Sequence, residues 1–153
     1  LWRFLFGIDL VDTIKCDFMP VDHPLQLMLS DPRRMTKRFG DSLWLRILDV
    51  KKALEQRSYA APDELVLELS DDIYPENAGT WRLDTGGDSA RVERVDAGGH
   101  LRLNVRDLAA LYLGGHTAAA LARAGRLQGE ATAIARLDAV LRTPRAPWCP
   151  EIF

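Results

Sequence analysis

The chain has 153 residues, of which 47% are hydrophobic and 27% charged, and its formal net charge is −2. These values are typical of one globular domain with a short attached piece, and they argue against disorder. Because the charges nearly balance, nothing favours binding to nucleic acid or to an anionic membrane. No apolar run approaches the roughly 20 residues that a membrane-spanning helix needs. The two cysteines, Cys16 and Cys149, fit neither a disulfide framework nor a zinc pattern, which favours a reducing, cytoplasmic setting.

The first part of the chain carries weak signals for regular structure. It begins at Leu1 within a stretch that is already apolar. The favoured interpretation is a chain entered within a longer protein, and the alternative is a trimmed native start. Residues 1–6 are typical of the end of a helix, and the β-branched, alternating stretch Ile8–Lys15 predicts a strand. Prolines then interrupt the chain and leave room for a short helical turn at 25–29. We place a domain boundary at about residues 38–41.

Strand patterns dominate the next sixty residues. The nearly continuous apolar run Leu43–Leu48 predicts a buried strand, and Asp49 is suited to cap a helix that runs to about Arg57. Further stretches alternate apolar and polar residues with the period of two that strands require. They are residues 64–69, 80–84, 90–92 and 100–103.

After Asn104 the apolar period changes from two to about 3.6. Asn104 and Thr117 are suited to cap two helices, and a third is predicted from Glu130 to Leu141, closed by Pro144. Strands followed by helices predict an α+β fold with helices packed on a sheet, rather than a doubly wound sheet.

No short motif in the sequence carries catalysis by itself. The histidines His23, His100 and His116 are isolated, and we interpret them as surface or structural residues. The pair Asp71-Asp72 has the chemistry to ligate a cation, although a solvated loop is the favoured interpretation. No metal site is predicted.

The C-terminal tail, residues 146–153, carries an unusual mixture of groups: two prolines, an indole, a thiol, a carboxylate and a final aromatic ring. One interpretation is that Trp148, Ile152 and Phe153 pack against the hydrophobic core beside the last helix. The other is that Phe153 anchors the terminus and presents its α-carboxylate in a cleft. An α-carboxyl has a pKa of about 3.3–3.7, so it is ionised at neutral pH, and desolvation would make it a better base.

Several short segments distributed along the whole chain form a recognisable set. They are Leu1-Trp2-Arg3-Phe4-Leu5, Ile8-Asp9-Leu10-Val11, Asp31-Pro32-Arg33, the pattern D-x-L-W-x-R-x-x-D-V over residues 41–50, Ala53-Leu54-Glu55-Gln56-Arg57-Ser58-Tyr59, and Leu111-Tyr112-Leu113-Gly114-Gly115. Together they resemble the C-terminal portion of the Eis (enhanced intracellular survival) acetyltransferases. The pattern at 41–50 is fairly specific to this family, and the later leucine and glycine pattern is weaker evidence for the resemblance.

This resemblance implies a domain organisation and a chemistry. Residues 1–38 would be the end of a middle GCN5-related (GNAT) acetyltransferase-like domain and its connector, and residues 39–153 a sterol-carrier-protein-like domain with a twisted, mostly antiparallel sheet. The C-terminal carboxylate, here that of Phe153, would be the general base that activates an amine for attack on acetyl-CoA. Glu151 would help, more weakly, to attract a cationic substrate such as an aminoglycoside.

The resemblance also implies partners that the chain does not contain. The Q/R-x-x-G-x-G/A loop that holds the acetyl-CoA pyrophosphate is absent from this sequence. Acetyl-CoA and the tyrosine that protonates the leaving thiolate would therefore belong to a missing N-terminal domain. The acceptor would be an amine-bearing small molecule or a lysine side chain, and the intact protein a homo-oligomer. Two alternatives stay open: a sterol-carrier-like module that binds a lipid or another apolar ligand, and an oligomerisation domain without catalysis.

Overall fold

The computed structural model of the protein describes residues 1–151. Within it the chain divides into two compact units. One consists of residues 1–42 together with the end of the chain from Trp148 onward, and the other of residues 43–147.

The N-terminal unit contains two one-turn helices, α1 (Trp2–Leu5) and α2 (Leu25–Met28), and a 3-10 turn at Pro32–Arg34. Both helices confirm the sequence prediction. The predicted strand at Ile8–Lys15 is wrong, because this stretch is irregular. Leu10 adopts a φ of 62°, which no strand accommodates, and its side chain is 95% exposed. Alternation alone is therefore not sufficient: within residues 1–151 this stretch has no partner strand to hydrogen-bond with its backbone.

A five-stranded sheet forms the centre of the second unit. Its strands are β1 (Glu64–Ser70), β2 (Gly79–Asp84), β3 (Arg91–Arg94), β4 (Leu101–Asn104) and β5 (Leu127–Gly129). The strand order is β3-β2-β1-β4-β5. Strands β1 and β4 pair in parallel, and the other neighbours pair antiparallel. The prediction of a mostly antiparallel sheet in an α+β fold is confirmed.

One face of the sheet is apolar and is covered by helices. Leu65, Leu67 and Leu69 of β1 are at most 3% exposed, whereas the residues between them are partly exposed. The helices of this unit are α3 (Val50–Glu55), α4 (Val105–Tyr112), α5 (Ala118–Arg123) and α6 (Ala131–Leu141). They contribute further fully buried side chains, including Leu54, Leu108 and Leu137. These positions confirm the periods of two and 3.6 in the sequence.

Two expectations in this unit need correction. The predicted buried strand Leu43–Leu48 is irregular; only Ile47 is buried, and Trp44 is 83% exposed. Conversely, β5 pairs with β4 where no strand was predicted. With three residues, β5 is too short to show a period, and its partner strand fixes it from outside.

Candidate functional site

The described part of the tail has no regular secondary structure; residues 146–147 belong to the second unit and residues 148–151 to the N-terminal unit. Trp148 is 49% exposed, Cys149 is partly buried, and the side chain of Glu151 is exposed. Ser42 Oγ donates a hydrogen bond to the backbone carbonyl of Glu151 at 3.3 Å. Phe153, the predicted general base, lies outside the described residues.

The segment that leads to the tail begins where α6 ends, and Arg57 holds this end. The Nε–H of Arg57 donates to the carbonyl of Tyr112 at 2.8 Å, at the end of α4. Its Nη2 donates to the carbonyl of Leu141 at 2.6 Å, at the end of α6. The last carbonyls of a helix have no partner within the helix and carry partial negative charge, so a guanidinium stabilises both ends at once.

Two tyrosine rings flank the Arg57 guanidinium. Its central carbon lies 5.1 Å from the ring centre of Tyr59 and 5.9 Å from that of Tyr112. Burial lowers the pKa of Arg57, and the tyrosines partly offset this. Burial also raises the pKa of Tyr59, whose hydroxyl donates to the carbonyl of Leu54 at 2.6 Å. This role of Arg57 was not predicted from the sequence, because an arginine near a helix end usually projects into solvent.

After α6 the chain passes over the turn between α4 and α5. Gly114 in this turn has a φ of 75°, and a Cβ built on it would lie 2.8 Å from Cγ2 and 2.9 Å from Cβ of Thr143, and closer still to Thr143 Oγ1. A Cβ on Gly115 would lie 3.1 Å from Cγ of Pro147. We call these two approaches the glycine contact. Thr143 Oγ1 also donates to the carbonyl of Arg145 at 2.9 Å, which shapes the segment locally.

Asp71 is a buried carboxylate of the second unit with several hydrogen-bond partners. Its Oδ1 accepts hydrogen bonds from the N–H groups of Ile73 and Tyr74 at 3.0 and 3.1 Å and forms a salt bridge with Arg46. Its Oδ2 accepts from Asn77 Nδ2 at 3.0 Å. Burial alone would raise the pKa of Asp71, but these hydrogen bonds and the Arg46 charge outweigh it and lower the pKa to about 2.

The environment of Asp71 corrects the sequence interpretation of the pair Asp71-Asp72. Asp72 is exposed as expected, but Asp71 is buried and not in a solvated loop. Asn77 extends the network: its Oδ1 accepts from the N–H of Val50 at 3.2 Å, and its carbonyl accepts from Trp81 Nε1 at 2.9 Å. The network therefore joins the start of α3 to the loop before β2 and is structural.

The histidines are structural or exposed, as predicted. His23 Nδ1 accepts the N–H of Leu25 at 3.0 Å, and its ring packs edge-on against Trp2 at 5.8 Å. His100 and His116 are exposed. Among residues 1–151, no cluster of three or more histidine, cysteine, aspartate or glutamate side chains is placed to hold a metal ion.

Within the same residues, no helix has both the length and the apolar character needed to cross a membrane.

Two domain families match the sequence. The chain belongs to the sterol carrier protein domain family, which matches residues 50–150. The acetyltransferase (GNAT) domain family matches residues 1–47. These assignments confirm the sterol-carrier-like fold that the resemblance implied.

The relatives of the chain are Eis-type N-acetyltransferases, as the resemblance indicated. An uncharacterized N-acetyltransferase of Streptomyces coelicolor is 40% identical over 154 residues, which cover 100% of this chain and 37% of the relative. The N-acetyltransferase Eis of Mycobacterium tuberculosis is 40% identical over 145 residues, covering 91% of this chain and 34% of the relative. The crystal structure of Eis1 from Mycobacterium abscessus superposes with a TM-score of 0.86 at 32% identity, over 100% of this chain and 39% of that one. The chain thus spans little more than a third of the length of these relatives.

Carriage of a lipid in the core, the alternative left open by the sequence, requires a continuous apolar tunnel between sheet and helices. Trp81 is 7% exposed and belongs to the core cluster that includes Leu67, Leu83 and Leu103. Trp44 is 83% exposed and lies outside this core cluster, so the lipid-binding alternative stays a prediction.

Proposed function

We propose that the chain is part of an acetyl-CoA-dependent N-acetyltransferase that transfers the acetyl group directly to an amine. The observation that carries this proposal is that N-acetyltransferases match the chain over its whole length. The match of residues 1–47 to the acetyltransferase (GNAT) domain family supports it further. Residues 1–38 would then close the acetyltransferase-like domain, and residues 39–153 would form the sterol-carrier-like domain and its tail.

In the proposed reaction, the α-carboxylate of Phe153 is the general base. The amine nitrogen forms a bond to the thioester carbonyl carbon of acetyl-CoA, and the carbon–sulfur bond breaks. The carboxylate accepts the proton that the amine loses, and the departing thiolate of CoA takes a proton from an acid outside this chain. An ionised carboxylate at the end of a tail is suited to this step, because it is a base at neutral pH and accepts hydrogen bonds only.

The proposed substrate class is supported by a second acidic group near the end of the sequence. Glu151 is exposed and lies two residues before the terminus, so it adds a negative charge that attracts a cationic polyamine such as an aminoglycoside. A lysine side chain is also a positively charged primary amine and would be an acceptor of the same kind. We also propose that the intact enzyme is cytoplasmic and a homo-oligomer.

The Glu151→Gln substitution tests this substrate role. We expect KM for a polyamine to rise by a factor of about 1.4 to 5 with kcat unchanged, because an exposed charge pair contributes about 0.2–1 kcal/mol. Glu130→Gln is the matched control, since Glu130 is also exposed and makes no side-chain cap to α6. Steady-state kinetics at low ionic strength measure the effect, and equal KM values for the two variants would contradict it.

The activity itself is tested with the full-length enzyme that carries this chain. Acetyl-CoA is supplied with an aminoglycoside, a linear polyamine or a lysine-containing peptide, and release of the CoA thiol is followed together with the mass of the acceptor. We expect amine-dependent thiol release and addition of one acetyl group to the acceptor. Thiol release that no amine stimulates would overturn the proposal.

A further inference from the structure

We propose that residues 43–48, at the start of the second unit, are a docking surface for the acetyltransferase-like domain of the full-length enzyme. We call these residues the 43–48 segment. Its occupant is the edge of a strand in the part of that domain that lies outside this chain. The inference rests on the proposed function only in that the chain belongs to a longer N-acetyltransferase, and it does not depend on the general base.

The 43–48 segment exposes several large apolar side chains. Trp44 is 83% exposed, Leu48 62% and Leu43 58%. Surface loops are normally polar, as is the stretch Asp-Ala-Gly at residues 96–98, between β3 and β4. Neighbouring apolar side chains with this much exposure indicate a surface that another part of a protein covers.

The backbone of the 43–48 segment is available for pairing. Among residues 1–151, none of its six N–H groups donates a hydrogen bond. None of its residues has a positive φ, so none must leave the left-handed region to become extended. The nearly continuous apolar run is typical of a strand that is covered on both faces. The segment therefore has the donors and side chains needed to add to the edge of a sheet.

Contacts with the second unit hold the 43–48 segment in place. Arg46 forms a salt bridge with Asp71, and Ile47 is buried in the core. The carbonyl of Leu48 accepts a hydrogen bond from Asn77 Nδ2 at 3.2 Å. Because these contacts already order the segment, a partner that binds it loses less conformational entropy.

The occupant is inferred from the family match that contains the segment. The acetyltransferase (GNAT) match ends at residue 47, within the segment, whereas the sterol carrier match begins at residue 50. The four strand patterns recognised after residue 50 all form strands of the sheet within this chain. A partner for the segment is therefore expected in acetyltransferase-like sequence. This chain contains only part of such sequence, since it covers 37% of the Streptomyces coelicolor relative.

Hydrogen exchange in the full-length enzyme tests the docking. We expect the backbone amides of the 43–48 segment to exchange at least about 100-fold more slowly than in an unstructured peptide, because paired amides exchange only when the structure opens. Residues 96–98 are the matched control, since among residues 1–151 their N–H groups also donate no hydrogen bond. We expect them to exchange at nearly the unstructured rate. Equally fast exchange in both stretches would overturn the proposal.

The Trp44→Ala substitution tests whether the exposed side chains carry the docking. We expect the amides of the 43–48 segment to exchange at least about tenfold faster in this variant of the full-length enzyme, because buried aromatic residues dominate interfaces. Leu113→Ala is the matched control: Leu113 is also an exposed apolar residue of the second unit, but it lies outside the segment. Its effect is expected to stay within about twofold. Exchange in β1 shows that both variants keep their fold, and unchanged exchange in Trp44→Ala would contradict the proposal.

Photo-cross-linking identifies the occupant. The full-length enzyme with p-benzoylphenylalanine in place of Trp44 is prepared in light and heavy isotopic forms, which are mixed in equal amounts and irradiated. We expect cross-links within one molecule to acetyltransferase-like sequence outside this chain. The same photoreactive residue in place of Ala97 is the control and is expected to give no such cross-link. Cross-links between light and heavy copies would identify a second copy as the occupant, and cross-links to residues 1–151 would place the cover within this chain. Either result overturns the proposal.

These measurements are independent of the test of the proposed function, which follows amine-dependent release of the CoA thiol. A protected segment in an enzyme without such release would overturn the function and leave the docking surface standing. An active enzyme in which the 43–48 segment exchanges as fast as residues 96–98 would do the reverse.

Discussion

Adding one glycine after Phe153 is expected to lower kcat of the full-length enzyme at least about 100-fold, because general-base catalysis contributes about 10²–10⁴ to a rate. The extension converts the Phe153 carboxylate into a neutral amide, which accepts a hydrogen bond but does not take a proton. The new carboxylate lies one residue further along the chain, up to about 3.5 Å away. A shift of this size removes the base from hydrogen-bonding distance of the amine.

The comparison needs an insertion that leaves the terminus intact. A glycine inserted between Ala97 and Gly98, in the exposed loop between β3 and β4, changes the length of the chain by the same amount. We expect this control to retain kcat within about twofold, and burst or steady-state thiol release measures both variants. Undiminished turnover in the extended enzyme would rule out the terminal carboxylate as the base.

Replacement of Asp71 by alanine is expected to destabilise the protein by about 2–4 kcal/mol, because a half-buried ion pair is lost and buried donors are left without an acceptor. The substitution leaves Arg46, the Asn77 amide and the N–H groups of Ile73 and Tyr74 without their acceptor. Urea unfolding measures the change. Asp72→Ala is the matched control, because the adjacent carboxylate is exposed, and we expect it to cost less than about 0.5 kcal/mol.

The same carboxylate predicts a dependence of stability on pH. The pKa of Asp71 is about 2 in the folded protein against an ordinary value of 3.8, so its contribution is fully present above about pH 4. As pH falls from 4 towards 2, the unfolded chain takes up the proton first and this contribution is lost. Between about pH 4 and pH 2, the unfolding free energy of Asp71→Ala is therefore expected to fall less steeply with decreasing pH than that of the wild type. An identical slope in both proteins would contradict the pKa of Asp71.

The sequence predicted the second unit far better than the first, and the reason is physical. In β1 and α6 the local pattern and the final environment agree, because the apolar period matches the face that the core covers. In Leu43–Leu48 they disagree. Its leucines suggested burial, but most of these side chains are exposed. The segment is held by the ion pair between Arg46 and Asp71, a contact that the local period of apolar residues does not reveal.

The candidate site was likewise predicted only in part from the sequence. The tail was recognisable from its composition, because an aromatic, proline-rich terminus is uncommon. The groups that hold the segment leading to it were not recognisable. Arg57 reaches two helix ends that are distant in sequence, and Gly114 meets Thr143 only because α6 returns to the α4–α5 turn. Such contacts are properties of the tertiary structure and not of any short motif.

The order of the strands has a consequence for how the protein folds. Strands β1, β2 and β3 are consecutive antiparallel neighbours, so they pair after closing only short loops. The parallel pairing of β4 with β1 must close the whole stretch between them, which costs more chain entropy. We therefore expect the β1–β2–β3 meander to form first during synthesis and β4 with its helices to add later. Until then, β1 has a free edge that can pair with strands of other chains.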